Sequence, residues 1–263
     1  MSFKICVLAS GSSGNAIYLS TSNTKILIDA GINSKQLILR LDKIGVKPEE
    51  IDGICLSHEH SDHTNGIRIF QKKFNTKVYS NSGTHDGYKK VPKNIDVSFQ
   101  IFQTNAIFKI GDITIESFLI PHDAIEPVGF ILSHNNKKIG IVTDIGITTP
   151  AIIEKLTGCE IMVIEANYDD DLLNDAPRPW NLKQRIRSRQ GHLSNTEAAQ
   201  LISDCNSVAL QKVILAHLSS DCNTPSTALK TISSQLRLDG LDNIDLEISS
   251  AIEPTEVLSL IHI

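Results

Sequence analysis

The chain has 263 residues, of which 41% are hydrophobic and 21% are charged, and its formal net charge is −5. This length suits one large α/β domain or two small ones, and the composition is typical of soluble globular proteins. The negative charge excludes nucleic-acid binding by bulk charge, so any such binding requires a local basic patch. No apolar run approaches the roughly 18–20 residues of a membrane span, and we expect no membrane association and no secretory leader.

The five cysteines are scattered, odd in number and never spaced as Cys-X-X-Cys. Three of them, Cys6, Cys55 and Cys159, lie in apolar, strand-like surroundings. This pattern is typical of buried free thiols in a reducing compartment, and it predicts a cytoplasmic location.

In chain order, the first predicted elements are short strands at residues 3–8, 16–20 and 25–29. The first two strands are separated by a loop of small residues that includes Ser12 and Asn15. Such a loop can bring backbone N–H groups close to a phosphate, or it can be an ordinary turn without a function. Ser34 is then a suitable N-cap for a helix through Ile44.

Residues 56–63, Leu-Ser-His-Glu-His-Ser-Asp-His, follow the apolar run 51–56. At a strand end, residues two apart point the same way, so His58 and His60 can face one point. Asp62 and His63 open the next helix, which is expected to reach about Lys73, and they can face a second point. Such a pair of points suits two divalent metals about 3.5–4 Å apart. The alternative is a polar loop that is rich in histidine by chance.

After a strand at residues 77–80, the middle of the chain reads as a meander of strands at 97–102, 106–109, 113–120, 128–133 and 138–142. His122 follows the third of these strands and Asp144 the last. Loops at strand ends commonly carry the chemistry of α/β proteins, so both are placed as metal ligands would be. Read alone, they are a loop histidine and a turn aspartate.

A second run of strands and helices follows. We expect a helix at 150–156, a strand at 160–166, a strand at 212–216 that ends in His217, a helix near Pro225, and a last strand at 244–248 followed by a short tail. A further helix is expected after His192, with Ser194 or Asn195 as its N-cap, and residues 194–197 fit a capping box. No linker or repeat interrupts the chain. These two similar halves predict a single domain over residues 1–263.

The segment 177–189 carries five cations, no acid and the only tryptophan of the chain, Trp180. Cations beside an aromatic ring are typical of surfaces that follow a nucleic-acid backbone. The same charges can instead form a solvated helix face that balances the four aspartates at positions 169, 170, 171 and 175, and the sequence leaves both readings open. The candidate substrate contacts are the loop and segment residues Ser12, Asn15, Trp180, Lys183, Arg185 and Arg187.

The His-X-His-X-Asp-His motif, His122, Asp144 and His217 together resemble the metallo-β-lactamase fold superfamily. The stretches 8–15, 121–130 and 191–195 are similar to the bacterial WalJ/YycJ/VicX group, and this similarity covers nearly the whole chain. The resemblance implies an α/β fold, a four-layer αββα sandwich with its metal site along one edge of two sheets. It also implies a metal-dependent nuclease, associated with DNA processing as a 5′-to-3′ exonuclease.

Carried onto this chain, the resemblance implies that His58, His60 and His122 hold one metal, and that Asp62, His63 and His217 hold a second. Asp144 would bridge both, and His192 would transfer a proton. The chain departs from the group's usual pattern at Ile145, where threonine is usual, and at Tyr168, where histidine is usual. At Ile145 the chain loses a hydroxyl near the bridging ligand Asp144, which is itself retained. Tyr168 puts affinity or specificity in question if the usual histidine contacts metal or substrate in relatives.

The expected chemistry is attack on a phosphodiester by a hydroxide that two divalent metals generate, because metal binding lowers the pKa of water from about 15.7 toward about 7. Asp62 would orient this hydroxide, and protonated His192 would donate to the leaving oxygen. The nitrogen and oxygen donors suit zinc or manganese and also accept iron. The alternatives are a small-molecule hydrolase for cyclic phosphodiesters or thioesters, and a non-catalytic binding module. The remaining histidines are read as structural: His85, His134 and His262.

Overall fold

The computed structural model describes residues 3–260. Within this range the strands are β1 (Phe3–Ala9), β2 (Ala16–Ser20), β3 (Lys25–Ile28), β4 (Gly53–Cys55), β5 (Lys77–Ser80), β6 (Phe99–Ile101), β7 (Ile107–Ile110), β8 (Ile113–Leu119), β9 (Val128–His134), β10 (Lys137–Val142), β11 (Ile161–Glu165), β12 (Lys212–Ala216), β13 (Asp245–Ile248) and β14 (Leu258–Leu260).

The helices in the same range are α1 (Ser34–Lys43), α2 (Ser61–Thr64), α3 (Ile67–Phe74), α4 (Ser82–Lys89), α5 (Pro150–Leu156), α6 (Asp170–Asp175), α7 (Trp180–Ile186), α8 (Asn195–Asp204) and α9 (Pro225–Leu238). Two 3-10 turns lie at Pro48–Glu50 and Pro92–Asn94. None of these helices is both long and apolar enough to cross a membrane.

The chain divides into two compact units. Among the described residues, the first contains 3–119, 124–137 and 249–260, and the second contains 120–123 and 138–248. The expectation of a single domain over residues 1–263 stays a prediction.

The first unit contains a seven-stranded mixed sheet in the order β14-β1-β2-β3-β4-β5-β6. Strands β1 to β3 pair antiparallel, and β3 to β6 pair parallel. Buried side chains of α1 and α3 form one hydrophobic cluster with those of the parallel strands, among them Leu37, Phe70, Leu27, Ile54 and Val78. Burying a side chain of this size contributes about 1.5–3 kcal/mol, so this cluster fixes the strand ends that carry the histidine motif. The unit also contains the antiparallel pairs β7–β8 and β8–β9.

The second unit is built on the parallel strands β10, β11, β12 and β13, in that order. The first three are apolar and mostly buried, as parallel strands between helices usually are. Because the strands are parallel, their carboxyl ends lie at one edge. Asp144, Glu165 and His217 all occur at or just beyond those ends.

Several sequence predictions were wrong in detail. The helix expected from Asp62 to Lys73 is two helices, because Gly66 donates its N–H to the carbonyl oxygen of Ala30 (2.8 Å) and not within a helix. The N-cap of α1 is Asn33, whose Oδ1 accepts from the N–H of Gln36 (3.0 Å). The strand expected at 97–102 does not belong to the meander, since β6 pairs parallel with β5. The expected tail contains β14, which pairs antiparallel with β1.

Candidate metal centre

The histidine motif of the first unit lies between β4 and α2. His58 and His63 are buried, and His60 is half-buried. Nε2 of His58 lies 3.0 Å from Nδ1 of His60, and the rings of His58 and His63 have their centroids 4.1 Å apart. The structure therefore brings these three imidazoles together.

Asp29, just after β3, fixes the orientation of His63. Its Oδ2 lies 2.7 Å from Nδ1 of His63, and both of its oxygens accept hydrogen bonds from Ser57, from the N–H and from the hydroxyl (2.8 Å each). The carboxylate places the ring proton on Nδ1, so Nε2 presents its lone pair on the other side. A carboxylate behind a histidine in this way is the usual second partner of a metal-binding imidazole.

The motif also packs closely against the ends of β2 and β3. A Cβ atom on Gly31 would lie 1.5 Å from the carbonyl oxygen of Asp62, so only glycine fits there. The carbonyl of Asp62 accepts from the N–H of Asn15 (2.7 Å), and the carbonyl of His63 accepts from that of Ala30 (2.9 Å). These bonds hold Asp62 and His63 in place by their backbone.

In the second unit, Asp144, Glu165, His192 and His217 form a cluster that could hold a metal, with one ligand atom of each within 4.8 Å of the others. Oδ1 of Asp144 lies 3.4 Å from Nε2 of His217 and 3.8 Å from Nδ1 of His192. Asp144 and His217 both have positive φ angles (58° and 55°). This conformation is uncommon for residues with a side chain. Three residues proposed from distant parts of the sequence thus meet in this unit.

Glu165, which sequence reasoning missed, lies at the centre of this cluster and is fully buried. Its Oε1 lies 2.8 Å from Nδ1 of His192 and 2.8 Å from Nδ1 of His217. Its Oε2 accepts from the N–H groups of Ile145 (3.1 Å) and Leu193 (3.2 Å). One carboxylate therefore orients both imidazoles, and each of them is left with Nε2 on the opposite side.

The same contacts shift the acid–base behaviour of the cluster. Burial alone would raise the pKa of Glu165, but the charges and hydrogen bonds of His192 and His217 outweigh it and hold that pKa below its usual value. Burial alone would lower the pKa of His192, but the charge of Glu165 and its hydrogen bond outweigh it, so that the pKa of His192 is raised. The charge and the hydrogen bond of Glu165 thus favour the protonated form of His192.

His122 is also buried in the second unit, and its Nδ1 lies 3.2 Å from the carbonyl oxygen of Gly191. Its Nε2 lies 3.3 Å from Asp123 and 3.9 Å from Asp144. Burial is the largest influence on this ring and lowers the pKa of His122. A neutral imidazole with its Nδ1–H on a carbonyl is the form that binds a metal through Nε2.

The donor set of both units fits divalent metal ions. Each unit supplies imidazole nitrogens and at least one carboxylate, and carboxylates or carbonyls behind the histidines direct their ligand atoms. Nitrogen and oxygen donors without thiolate suit zinc, manganese and iron. The structure and the chemistry of these side chains therefore support metal binding.

The candidate substrate contacts have different surroundings. Ser12 is exposed, whereas Asn15 is buried with its amide against Asp62 and His63. Trp180, at the start of α7, is 65% exposed. Arg185 binds Asp123 through Nε (2.6 Å), next to His122.

The other cations of the segment 177–189 are mostly engaged. Lys183 donates to the carbonyl of Asn174, and Arg187 donates to the side chain of Asn174 (2.8 Å) and the carbonyl of Asp170 (3.1 Å). Arg178 binds Asp221 (2.7 Å). Only Arg189, among the cations of this segment, makes no ion pair or side-chain hydrogen bond with the residues that the structure describes. Much of the charge of the segment is thus balanced by nearby acids and carbonyls.

The two departures from the group's pattern are both buried. Tyr168 packs with Leu173 and Ile186 in a small hydrophobic cluster, and burial raises its pKa. Ile145 is buried, and its N–H supports Glu165. Both side chains therefore serve packing in this chain.

The histidines read as structural have local partners where they are described. His85 lies 2.9 Å from Asp86, and His134 lies 3.1 Å from the carbonyl oxygen of Asp112. His262 lies outside the described residues.

Comparison with known proteins identifies the family. The model of the β-lactamase superfamily domain matches residues 24–218. The chain is 37% identical over 237 residues to exodeoxyribonuclease WalJ of Streptococcus pneumoniae serotype 2 (strain D39 / NCTC 7466), covering 89% of this chain and 88% of that protein. It is 34% identical over 242 residues to exodeoxyribonuclease YycJ of Bacillus anthracis, covering 91% of each.

A solved structure shows the same fold. The metallo-β-lactamase fold protein YhfI from Bacillus subtilis superposes with a TM-score of 0.75 at 16% identity, covering 97% of this chain and 99% of that one. The predicted fold class, an α/β sandwich of the metallo-β-lactamase type with two mixed sheets flanked by helices, is confirmed. The chain belongs to the WalJ/YycJ family of the metallo-β-lactamase superfamily.

Proposed function

We propose that this chain is a metal-dependent phosphodiesterase that acts on DNA as an exonuclease with 5′-to-3′ polarity. The observation that carries the proposal is the carboxylate of Glu165, which orients His192 and His217 beside Asp144 in a chain 37% identical to exodeoxyribonuclease WalJ. Such a cluster supplies a proton donor and metal ligands at one place, as hydrolysis of a phosphodiester requires.

The proposed centre takes two divalent ions, zinc or manganese, with iron acceptable to the same donors. One ion is assigned to His58, His60 and His122, and the other to the ligands Asp62, His63 and His217, with Asp144 shared by both. When bound, the ions supply Lewis-acid charge that lowers the pKa of water and neutralises phosphate oxygens. The support for this assignment is the membership of the family and the orientation of His63 by Asp29, of His122 by the carbonyl of Gly191 and of His217 by Glu165.

The side chains of the protein perform the remaining steps. Asp62 accepts a hydrogen bond from the attacking water and so orients it toward phosphorus. His192, whose Nδ1 is held by Glu165 (2.8 Å), donates its Nε2 proton to the leaving oxygen. The raised pKa of His192 favours the protonated form that this step needs. General acid catalysis of this kind contributes about 10²–10⁴-fold.

For the substrate, we propose that the DNA backbone contacts Ser12, Trp180, Arg185 and Arg189. Trp180 and Arg189 are exposed, and the guanidinium of Arg185 lies next to His122 through Asp123. Lys183 and Arg187, which the sequence also suggested, are assigned mainly to holding α7 against α6. An aromatic ring and a few cations are enough for backbone contacts without a strongly positive protein.

We place the reaction in the cytoplasm. All five cysteines are buried, and none of them is in a disulfide bond in the described part of the chain, which fits a reducing compartment.

The test uses the purified chain with Mn²⁺ or Zn²⁺ on 5′-labelled duplex and single-stranded DNA, beside a chromogenic phosphodiester. We expect stepwise release of nucleotides from the 5′ end and loss of cleavage in His60→Ala. His85→Ala is the matched control, since His85 contacts Asp86 and lies outside the centre.

Other outcomes would indicate a different function. Cleavage of the chromogenic ester without cleavage of DNA would favour a small-molecule hydrolase for cyclic phosphodiesters, and thioester cleavage would favour the related thioester activity. Metal content near two ions per chain without cleavage of any of these substrates would indicate a non-catalytic binding module.

A further inference from the structure

The side chain of Asn15 lies in the loop between β1 and β2 and is buried against the histidine motif. Its Oδ1 accepts from the N–H of Gly11 (2.8 Å). Its Nδ2 lies 3.1 Å from Nε2 of His63, 3.3 Å from the carbonyl oxygen of Asp62 and 3.5 Å from Oδ2 of Asp62. Because a donor faces one end of the amide and acceptors face the other, the orientation of this amide is fixed.

The tautomer of His63 makes Nε2 an acceptor. Asp29 holds the ring proton on Nδ1 (2.7 Å), so Nε2 carries a lone pair and accepts the N–H of Asn15. An imidazole nitrogen has one such lone pair, and it is also what a metal ion would bind. The amide of Asn15 and a metal at His63 therefore compete for the same electrons.

The carboxylate of Asp62 offers the amide another acceptor. Its Oδ2 is only slightly farther from Nδ2 than the nitrogen of His63, and the carbonyl oxygen of Asp62 is already within reach. A small rotation of the side chain is enough to leave His63 while keeping Asp62. The backbone of Asn15 stays fixed, because its N–H binds the carbonyl of Asp62 and its carbonyl accepts from Gly31 (2.7 Å each).

We propose that Asn15 is a positioning residue for the ligand pair Asp62 and His63. It aligns both before a metal binds, and it keeps Asp62 oriented once the metal has taken Nε2 of His63. This inference rests on the ligand set of the proposed function. It gives the small-residue loop a role toward the metal ligands, whereas the sequence suggested a contact with phosphate.

The experiment measures metal affinity and not activity. In the full chain, competition with a chromophoric chelator gives the affinities for Mn²⁺ or Zn²⁺ in the wild type and in Asn15→Ala. Loss of an outer partner of a metal ligand typically costs about 10–100-fold in affinity, and we expect this loss for one ion only. Ser13→Ala, an exposed position in the same loop, is expected to leave both affinities unchanged.

A second measurement separates positioning from loop stability. In the metal-free protein, the ¹⁵N resonance of Nε2 of His63 should shift in Asn15→Ala, because that nitrogen loses its hydrogen bond. Asn15→Asp keeps the acceptor for Gly11 and the shape of the side chain but removes both N–H donors, so the resonance should shift in this variant too.

Several results would overturn the inference: unchanged metal affinity, an unchanged His63 resonance in both variants, or equal loss of both ions together with a lower melting temperature. If the wild-type chain binds no divalent metal at all, the proposed function fails instead. The two failures are therefore distinguishable.

Discussion

The carboxylate of Glu165 lies 2.8 Å from Nδ1 of His192, although 27 residues separate the two along the chain. The same oxygen, Oε1, also lies 2.8 Å from Nδ1 of His217, and Oε2 accepts hydrogen bonds from two backbone N–H groups. Both oxygens of this buried carboxylate therefore have hydrogen-bond partners. A buried carboxylate with four donors around it is stable as the charged form. Its position makes Glu165 the residue that orients both imidazoles of this cluster.

Glu165→Gln should therefore disable the centre. The NH₂ group of the new amide would face an N–H group of an imidazole or of the backbone, where the carboxylate accepts a hydrogen bond. His192 and His217 would then lose the partner that fixes their tautomers. We expect metal affinity to fall about 10–100-fold and cleavage to fall at least as much. Glu160→Gln is the matched control, because Glu160 is a buried glutamate just before the start of β11 that accepts from the N–H of Lys138. Equal effects of the two substitutions would contradict the role of Glu165.

Gly31→Ala should destabilise the fold at the histidine motif. The new Cβ would overlap the carbonyl oxygen of Asp62, which cannot move without breaking its bond to Asn15. We therefore expect a loss of about 3 kcal/mol or more in the free energy of unfolding.

Gly45→Ala is the comparison for this substitution. A Cβ at Gly45 meets open space, and only the positive φ of 70° opposes it. A left-handed backbone costs alanine about 1–2 kcal/mol, which is less than the overlap at Gly31. Urea unfolding measures both variants, and a smaller loss for Gly31→Ala than for Gly45→Ala would show that the motif can shift.

Alkaline pH should destabilise the chain through its buried thiols. Burial raises the pKa of Cys159 and of Cys205 to about 12. An unfolded thiol ionises near about pH 8.5. A raised folded-state pKa means that the stabilisation is complete below the unfolded value and is lost as the pH rises from there toward the folded value. Each thiol should then reduce the free energy of unfolding by about 1.4 kcal/mol per pH unit.

Urea unfolding at pH 8, 9 and 10 tests this dependence. The double variant Cys159→Ala/Cys205→Ala should lose stability less steeply over this range, whatever its stability at pH 8. If the free energy of unfolding falls equally steeply with pH in the wild type and in the double variant, these thiols do not cause the loss of stability at alkaline pH.

The cations of the segment 177–189 should contribute unequally to DNA binding. Arg187 is held by Asn174 and Asp170, whereas Arg189 is exposed. Arg189→Gln should weaken DNA binding and reduce the slope of log affinity against log salt by about 1, and Arg187→Gln should leave that slope nearly unchanged. Neither substitution should change the rate at which the chromogenic phosphodiester is cleaved. Salt slopes unchanged from the wild type in both variants would mean that the solvated-face reading of this segment is correct.

Much of the fold follows from local signals. The strands at Lys77–Ser80 and Lys212–Ala216 and the helix at Pro150–Leu156 have the predicted bounds, and the capping box of Ser194 and Glu197 is present. In each case an apolar run ends at a cap or turn residue. The histidine motif is equally local, since its three histidines and Asp62 lie within six positions.

Other features depend on contacts that are distant in sequence. Glu165 reads as one more residue of a buried strand, and its role exists only because β11 ends beside His192 and His217. The pairing of β6 with β5 is likewise a tertiary result, because an apolar triplet does not specify its neighbour. The break at Gly66 arises from a carbonyl of Ala30, far back in the chain.

Asp29, Asp144 and His217 share a left-handed backbone conformation (φ 60°, 58° and 55°), each within two residues of the end of a parallel strand. Any residue other than glycine, asparagine or aspartate is disfavoured there by about 1–2 kcal/mol, so the imidazole at position 217 opposes folding while the tight turn aims it. A descendant that no longer needed hydrolysis could replace His217 with glycine and become easier to fold. Selection on stability alone would therefore act first against His217, because the aspartates at positions 29 and 144 tolerate this backbone conformation.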